Sequence, residues 1–356
     1  MDDLIANVRE IFPDARLDLV ERLIGSKRSL VARVLVDGRS LIVKQYVGGD
    51  GDGWARERAA LSILPDDAPA PKLVATSALP PIVVMTDIGG GPSVAKALLG
   101  RDPAVAADAM ASWATSLATL HRQTRGSRGA FRGALNARFP ESTVLEQMED
   151  AAEETGRHCA ALGVDLPGEA VAELVGLADR LNEDGPAALT PADACPDNNV
   201  RTPDGGLVLI DFEGSQWRHV AWDVAYLAVP WPTCWCAWRL PEEAVDDAIR
   251  TYRSAAGGAW AQSPAFHTDV AAAVVGWTYV SVSWFLARAL ADDAALTATP
   301  DKPSPPRRAT ILHRLDVARR ADAGTPALAG LADRLHRALT DRWGECPLPS
   351  APAFRA

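Results

Sequence analysis

Apolar and polar positions alternate through most of the chain up to residue 88, and a period of three to four takes over from about residue 102. Residues 4 to 12 read as a short amphipathic helix ending before Pro13. Leu17 to Ile24, Leu30 to Val36 and Leu41 to Lys44 read as strands. The turn Gly25-Ser26-Lys27-Arg28-Ser29 joins the first two, and Asp37-Gly38 is a strong hairpin signal between the second and third. A glycine-rich segment, Val47 to Gly53, leads into a helix from Trp54 on which Glu57, Leu61 and Leu64 share one face. After the Pro65 to Pro71 loop, Leu73 to Thr76 and Ile82 to Met85 supply two more strands. The break Thr86-Asp87-Ile88-Gly89-Gly90-Gly91-Pro92 places a lobe boundary, giving an N-lobe of 1-88 and a C-lobe of 89-356.

The C-lobe pattern is helical. Asp102 is a good N-cap before Pro103, and Ala106, Met110, Trp113, Leu117 and Leu120 form a core stripe. His121 is expected to be packed or capping. Residues 143 to 184 read as two helices divided by Gly163 and Pro167, and Trp222 to Leu227 begins another. Further helices are expected at about 241 to 255, 265 to 291, 307 to 321 and 325 to 343, with a proline-rich break at 300 to 306. The longest apolar run, Val270 to Leu290, carries Thr278, Ser281, Ser283 and Arg288, which favours a buried helix over a membrane span. The fold class expected is α+β: a two-lobed protein-kinase-like fold with a small β-rich N-lobe and a large, mostly helical C-lobe.

Composition narrows the function classes. Of 356 residues, 48% are hydrophobic and 23% charged, which is the balance of a globular chain. The net charge of −10 argues against a nucleic-acid partner and suits a cationic small substrate. Arg307-Arg308 and Arg319-Arg320 are accordingly expected on solvated helix faces. The acids Asp2 and Asp3 stand where a signal peptide would carry basic residues, so a cytoplasmic location and no membrane partner are expected. Five cysteines, an odd number, fit no disulfide framework and are expected reduced and mostly buried. Cys234-Trp235-Cys236 has no second pair at ligand spacing, which argues against zinc.

The chemistry concentrates in two stretches. Thr190-Pro191-Ala192-Asp193-Ala194-Cys195-Pro196-Asp197-Asn198 reads as a loop, and Leu207 to Ile210 as a strand ending in Asp211-Phe212-Glu213. Phosphoryl transfer needs one carboxylate to orient or deprotonate a hydroxyl, and an amide oxygen and second carboxylate to hold magnesium. The kinase catalytic loop spaces its Asp and Asn by five, as Asp193 and Asn198 are spaced, and Asp211 stands in the second metal-binding place. Upstream, Lys44 closes an apolar strand and Glu57 lies on an inward helix face, so the two are a natural ion pair that would hold the ammonium against phosphates. The turn bearing Ser26 and Ser29 could lay its N–H groups over the same phosphates. Backbone near Thr86 to Ile88 would meet the base. Asp223 is expected to accept backbone N–H bonds at its helix start.

With these residues in hand, the chain resembles the aminoglycoside phosphotransferase family, the small-molecule branch of the protein-kinase-like fold, over roughly residues 10 to 290. That family's loop usually reads His-Gly-Asp-x-His-Pro-x-Asn; here Pro191 and Ala192 replace the first two and Cys195 the second histidine. The resemblance implies that Asp193 is the catalytic base, Asn198 and Asp211 bind Mg2+, and Lys44 touches the phosphates of ATP or GTP. The acceptor would be a hydroxyl of a small molecule, in a class that includes antibiotics, choline, homoserine and sugars. Trp231, Trp235 and Trp238 could form an acceptor wall, with Asp246 attracting amines; the alternative is that the tryptophans pack the core and the acids face water. The partners expected are a nucleotide and this acceptor, with the chain a monomer or homodimer. The alternative is a pseudokinase-like nucleotide- or ligand-binding protein, favoured by the altered loop. A protein kinase is disfavoured because no Ala-Pro-Glu segment follows Asp211.

Overall fold

The computed structural model describes residues 2–26, 28–48, 51–135, 143–229, 231, 233–292 and 302–355. Helix α1 (Asp2–Ile11) precedes strands β1 (Leu17–Ser26), β2 (Ser29–Val36) and β3 (Arg39–Tyr46). Helix α2 (Asp52–Ile63) follows, then β4 (Leu73–Ala78) and β5 (Pro81–Thr86). The strands form an antiparallel sheet in the order β1-β2-β3-β5-β4. The turn between β2 and β3 works because both its residues adopt left-handed backbone, Asp37 at φ 50° and Gly38 at φ 80°.

Side chains of β5 show how the period of two builds two cores. Ile82 and Val84 join Leu4 and Val8 of α1 and Val34 and Val43 of the sheet in a small cluster. Val83 and Met85 point the other way, into the main core with Ala55 and Ala59 of α2. One face of the sheet therefore belongs to the N-terminal layer, and the other is welded to the helical half.

The helical half contains α3 (Val94–Leu98), α4 (Pro103–Thr124), α5 (Arg128–Leu135), α6 (Val144–Leu162) and α7 (Gly168–Arg180). Short strands β6 (Ala187–Thr190), β7 (Asn199–Arg201), β8 (Leu207–Leu209) and β9 (Gln216–His219) pair as β6-β9 and β7-β8. Then come α8 (Ala221–Val224), α9 (Glu242–Ala256), α10 (Ala259–Gln262), α11 (Pro264–Ala291), α12 (Arg307–Arg320) and α13 (Pro326–Trp343). Asp102 caps α4 as expected, accepting from Ala104 N–H at 2.9 Å.

Helix α11 has the length and apolarity of a membrane span, yet 78% of its most apolar window is buried inside the fold. It is a core helix. Gly276 lets it approach α8: a Cβ there would lie 2.6 Å from the Trp222 ring. Trp277 Nε1 donates to the Trp222 carbonyl at 2.8 Å across the same contact.

One expectation is corrected here. Cys195 and Cys234, 39 residues apart, are joined in a disulfide, so the five cysteines are not all reduced. No spacing rule could have paired them, because they sit on separate loops that meet only in the folded chain. The proline-rich break at 300 to 306 begins on residues outside the described set.

Candidate active site

The two short strand pairs carry the loops that form the floor of the site. Asp193 follows β6, and its loop is braced from within. Asn198 Nδ2 donates to the Asp193 carbonyl at 3.0 Å, and the Ile210 N–H donates to the Asn198 carbonyl at 3.0 Å. The amide nitrogen is thus engaged, which leaves the oxygen end of Asn198 as the end a cation could use. Thr233 Oγ1 donates to Asp193 Oδ1 at 2.5 Å and lies 3.1 Å from the Tyr226 hydroxyl. Burial pushes the Asp193 carboxyl above its ordinary range, aided by the nearby Asp211 carboxylate and opposed by the Thr233 bond.

Ala192 sits at φ 62°, in the left-handed region where a Cβ is costly. Relief of about 1–2 kcal/mol, less an unfolded-state cost of about 0.4–1 kcal/mol, gives a net gain for Ala192→Gly between about 0 and 1.6 kcal/mol, centred near about 0.8 kcal/mol. Urea unfolding measures it, and a variant less stable than the parent would contradict the strain.

Lys44 on β3 binds three carboxylates at once. Its Nζ lies 2.6 Å from Asp211 Oδ1, 3.0 Å from Glu57 Oε2 and 3.0 Å from Glu213 Oε2. Burial disfavours the ammonium, but Glu57 and Asp211 outweigh it, and the Lys44 pKa is driven well above the ordinary lysine value. Glu57 also accepts the Phe212 N–H at 3.1 Å, so α2 is tied directly to the Asp211 segment. Arg28, in the turn after β1, bonds Glu213 at 2.8 Å. Asp211 itself adopts left-handed backbone at φ 67° and ψ 67°, which turns its carboxylate back toward Lys44.

These groups line one cleft of about 930 Å³, together with Ser29, Thr86, Asp87, Ile88, Asp193, Asp197, Asn198 and Lys302. The side chain of Ser26 lies outside the described residues. Thr86 is less available than expected: its N–H donates to the Lys72 carbonyl at 2.9 Å and its hydroxyl accepts the Lys72 N–H at 2.9 Å. Asp87, which sequence reasoning passed over, anchors the hinge by accepting from Arg33 Nε at 2.6 Å and Ser40 Oγ at 2.5 Å. The donor set Asn198, Asp211, Glu213 and Asp193 is all oxygen, with more carboxylates than Lys44 alone can neutralise. It fits a hard divalent cation such as Mg2+.

The acceptor wall differs from expectation. Trp231 and Trp238 are 0% and 8% exposed and belong to the core, so neither offers a ring to an acceptor. Asp246 is exposed on α9 and does not line the cleft. Trp235 is half-buried and occupied: its Nε1 donates to Asp197 Oδ2 at 3.0 Å, and Lys302 stacks on its ring at 5.4 Å. Lys302 Nζ in turn bonds Asp197 at 2.8 Å. Of three residues the sequence did not mark, Thr233 bonds Asp193, and Asp197 and Lys302 line the same cleft. Thr233 lay in the tryptophan-rich stretch, but a hydroxyl has no spacing signature.

Asp223 is also corrected. It is fully buried, and its partners are side chains: Arg218 at 2.6 Å and His121 Nε2 at 3.2 Å. His121 is packed, as expected, with Nδ1 2.9 Å from the Tyr252 hydroxyl.

Comparison with known proteins bears on the family and the fold. The phosphotransferase enzyme family model matches residues 21–266. No curated protein matches the chain by sequence. Among solved structures, an ethanolamine kinase from Plasmodium vivax is 14% identical, with a TM-score of 0.53 over 91% of this chain and 83% of that one. A choline kinase from Streptococcus pneumoniae is 17% identical, TM-score 0.50, covering 94% and 99%. A macrolide 2'-phosphotransferase from Brachybacterium faecium is 14% identical, TM-score 0.52, covering 90% and 98%. At these identities the structures share the fold: a small antiparallel N-terminal lobe on a larger helical part.

Proposed function

From the premise that the chain belongs to the phosphotransferase enzyme family, we propose that it transfers the γ-phosphoryl group of ATP or GTP to a hydroxyl of a small acceptor. The observation that carries this reading is the single cleft in which Lys44 Nζ lies 2.6 Å from Asp211 Oδ1 while Asp193 and Asn198 line the same space. Asp193 accepts the acceptor hydroxyl's hydrogen bond and receives its proton as the oxygen bonds to phosphorus. Thr233 fixes the carboxylate that does this. Lys44, oriented by Glu57, meets the nucleotide phosphates. Mg2+, held by Asn198 and Asp211, would neutralise charge on the phosphate oxygens. Ile88 lies at the hinge beside the base.

The acceptor is a basic or polyhydroxylated compound, antibiotics included. Support comes from the net charge of −10 and from solved structures of the same fold that are named an ethanolamine kinase and a macrolide 2'-phosphotransferase. A nucleotide donor of this kind also favours a cytoplasmic site of action. The deciding experiment incubates the protein, MgATP or MgGTP and a panel of amines, sugars and antibiotics, and reads the mass gain of one phosphoryl group. Nucleotide binding with neither hydrolysis nor transfer across the panel would replace this reading by a non-catalytic nucleotide sensor, which the altered Pro191-Ala192 loop favours.

A pH profile gives a second check. The Asp193 carboxyl is raised by burial, and only its ionised form is a base. Activity should therefore fall as pH drops, on a limb lying above the ordinary carboxylate range of about 4. A kcat/KM that stays flat down to that range would remove Asp193 from the role.

A further inference from the structure

Three sulfurs meet beside Asp193, on the two segments that the Thr233–Asp193 hydrogen bond already joins. The Sγ atoms of Cys195, Cys234 and Cys236 all lie within 4.8 Å of one another. Cys195 and Cys234 are bonded to each other, and Cys236 Sγ is 3.1 Å from Cys234 Sγ. Cys159 and Cys346 are free and stand apart from this group. We propose that, once the Cys195–Cys234 bond is reduced, these three thiols form a Zn2+ centre tying the Asp193 loop to the segment bearing Cys234 and Cys236.

The geometry suits zinc. A tetrahedral Zn2+ with bonds of about 2.3 Å to sulfur spaces its thiolates by roughly 3.8 Å, inside the separation these sulfurs can share. Cys195 and Cys236 are buried, and Cys234 is half-buried. Two ligands are therefore shielded by the fold, while the third side stays open to admit the ion and a water as fourth ligand. Three thiolates and Zn2+ leave one negative charge, beside the Asp197–Lys302 ion pair at 2.8 Å. The Asp197 N–H also points at Cys195 Sγ, at 3.4 Å. Such an N–H to sulfur contact is the outer support that orients a thiolate ligand.

The centre would act on positioning rather than on phosphoryl transfer itself. Cys195 is two residues beyond Asp193, and Cys234 is next to Thr233, whose hydroxyl donates to Asp193 at 2.5 Å. Clamping the two cysteines holds that bond in register. The sequence hid the site because its third ligand lies 39 residues before the C-x-C pair.

The redox step balances with a trialkylphosphine: phosphine, water and the disulfide give phosphine oxide and two thiols. Zn2+ then displaces up to three protons. The test reduces the full-length protein this way without oxygen, adds Zn2+, desalts it and counts metal by plasma mass spectrometry. One Zn2+ per chain is expected in the parent and in Cys346→Ser, with affinity lower by about tenfold or more in Cys236→Ser. Co2+ in place of Zn2+ should give a thiolate-to-metal charge-transfer band in the parent protein, a reading that needs no variant to fold. Neither measurement depends on turnover, so failure here is distinct from failure of the phosphotransferase reading. A reduced parent that retains no Zn2+, a Co2+ spectrum without that band, or Cys236→Ser binding as tightly as the parent would each overturn the centre.

Discussion

Asp193→Asn lowers kcat by about 10²- to 10⁴-fold while leaving the nucleotide Kd close to that of the parent. The substitution keeps the shape of the side chain and one oxygen for Thr233, whose Oγ1 lies 2.5 Å from Asp193 Oδ1. What it removes is the atom that takes the acceptor proton. In the proposed reading the nucleotide meets Lys44 on β3 and Asp211 after β8, elsewhere in the cleft, so binding should survive. The effect belongs in kcat because the proton moves only as the new bond forms. Single-turnover measurement at saturating acceptor separates this step from product release. Turnover within threefold of the parent would assign the base elsewhere, and a lost nucleotide affinity would mean that the loop had collapsed. Thr233→Ala frees the same carboxylate without removing it and should cost far less.

The two-lobed fold was legible because its signals are local and repetitive. β2 and β3 alternate cleanly, Asp37-Gly38 closes their hairpin, and Asp102-Pro103 starts α4 where the pattern says it should. Short elements such as α3, α5, α10 and β9 were missed, since four to eight residues carry too little period to stand out. At the site, Lys44 and Glu57 could be paired from sequence because charges on apolar faces demand partners, whereas the 2.6 Å contact of Lys44 with Asp211 came only with the fold. The capping rule failed at Asp223. It identified a structural acid but assigned backbone partners, while the fold supplied Arg218 from β9 and His121 from α4. The tryptophans 231 and 238 misled for a related reason: an aromatic cluster reads alike whether it lines a wall or fills a core, and burial is decided by helices far along the chain. Arg314 of α12, for example, donates to the Trp231 carbonyl at 2.8 Å from 83 residues away.

Arg218→Ala should be the most destabilising single change discussed here, at about 3–5 kcal/mol, because it strands a buried carboxylate. Asp223 is 0% exposed and Arg218 only 3%, with 2.6 Å between them. Burial alone would raise the Asp223 pKa, yet Arg218 and His121 prevail and hold it below the ordinary value. The sign of the linkage follows. A depressed carboxyl pKa stabilises the fold fully above the unfolded-state value of about 4, and that contribution fades as pH falls through the folded-state value. In Arg218→Ala the contribution is gone at neutral pH, so the variant's stability should depend less on pH across the acid range than the parent's. Asp223→Asn combined with Arg218→Met removes both charges and should recover part of the loss, since no ion is left without its partner. Urea unfolding at pH 7 and at acid pH measures all three proteins. A loss below 1 kcal/mol in Arg218→Ala, or a double variant no better than the single one, would mean that water reaches this pair and that it does not brace the strand and helix beneath the Asp193 loop.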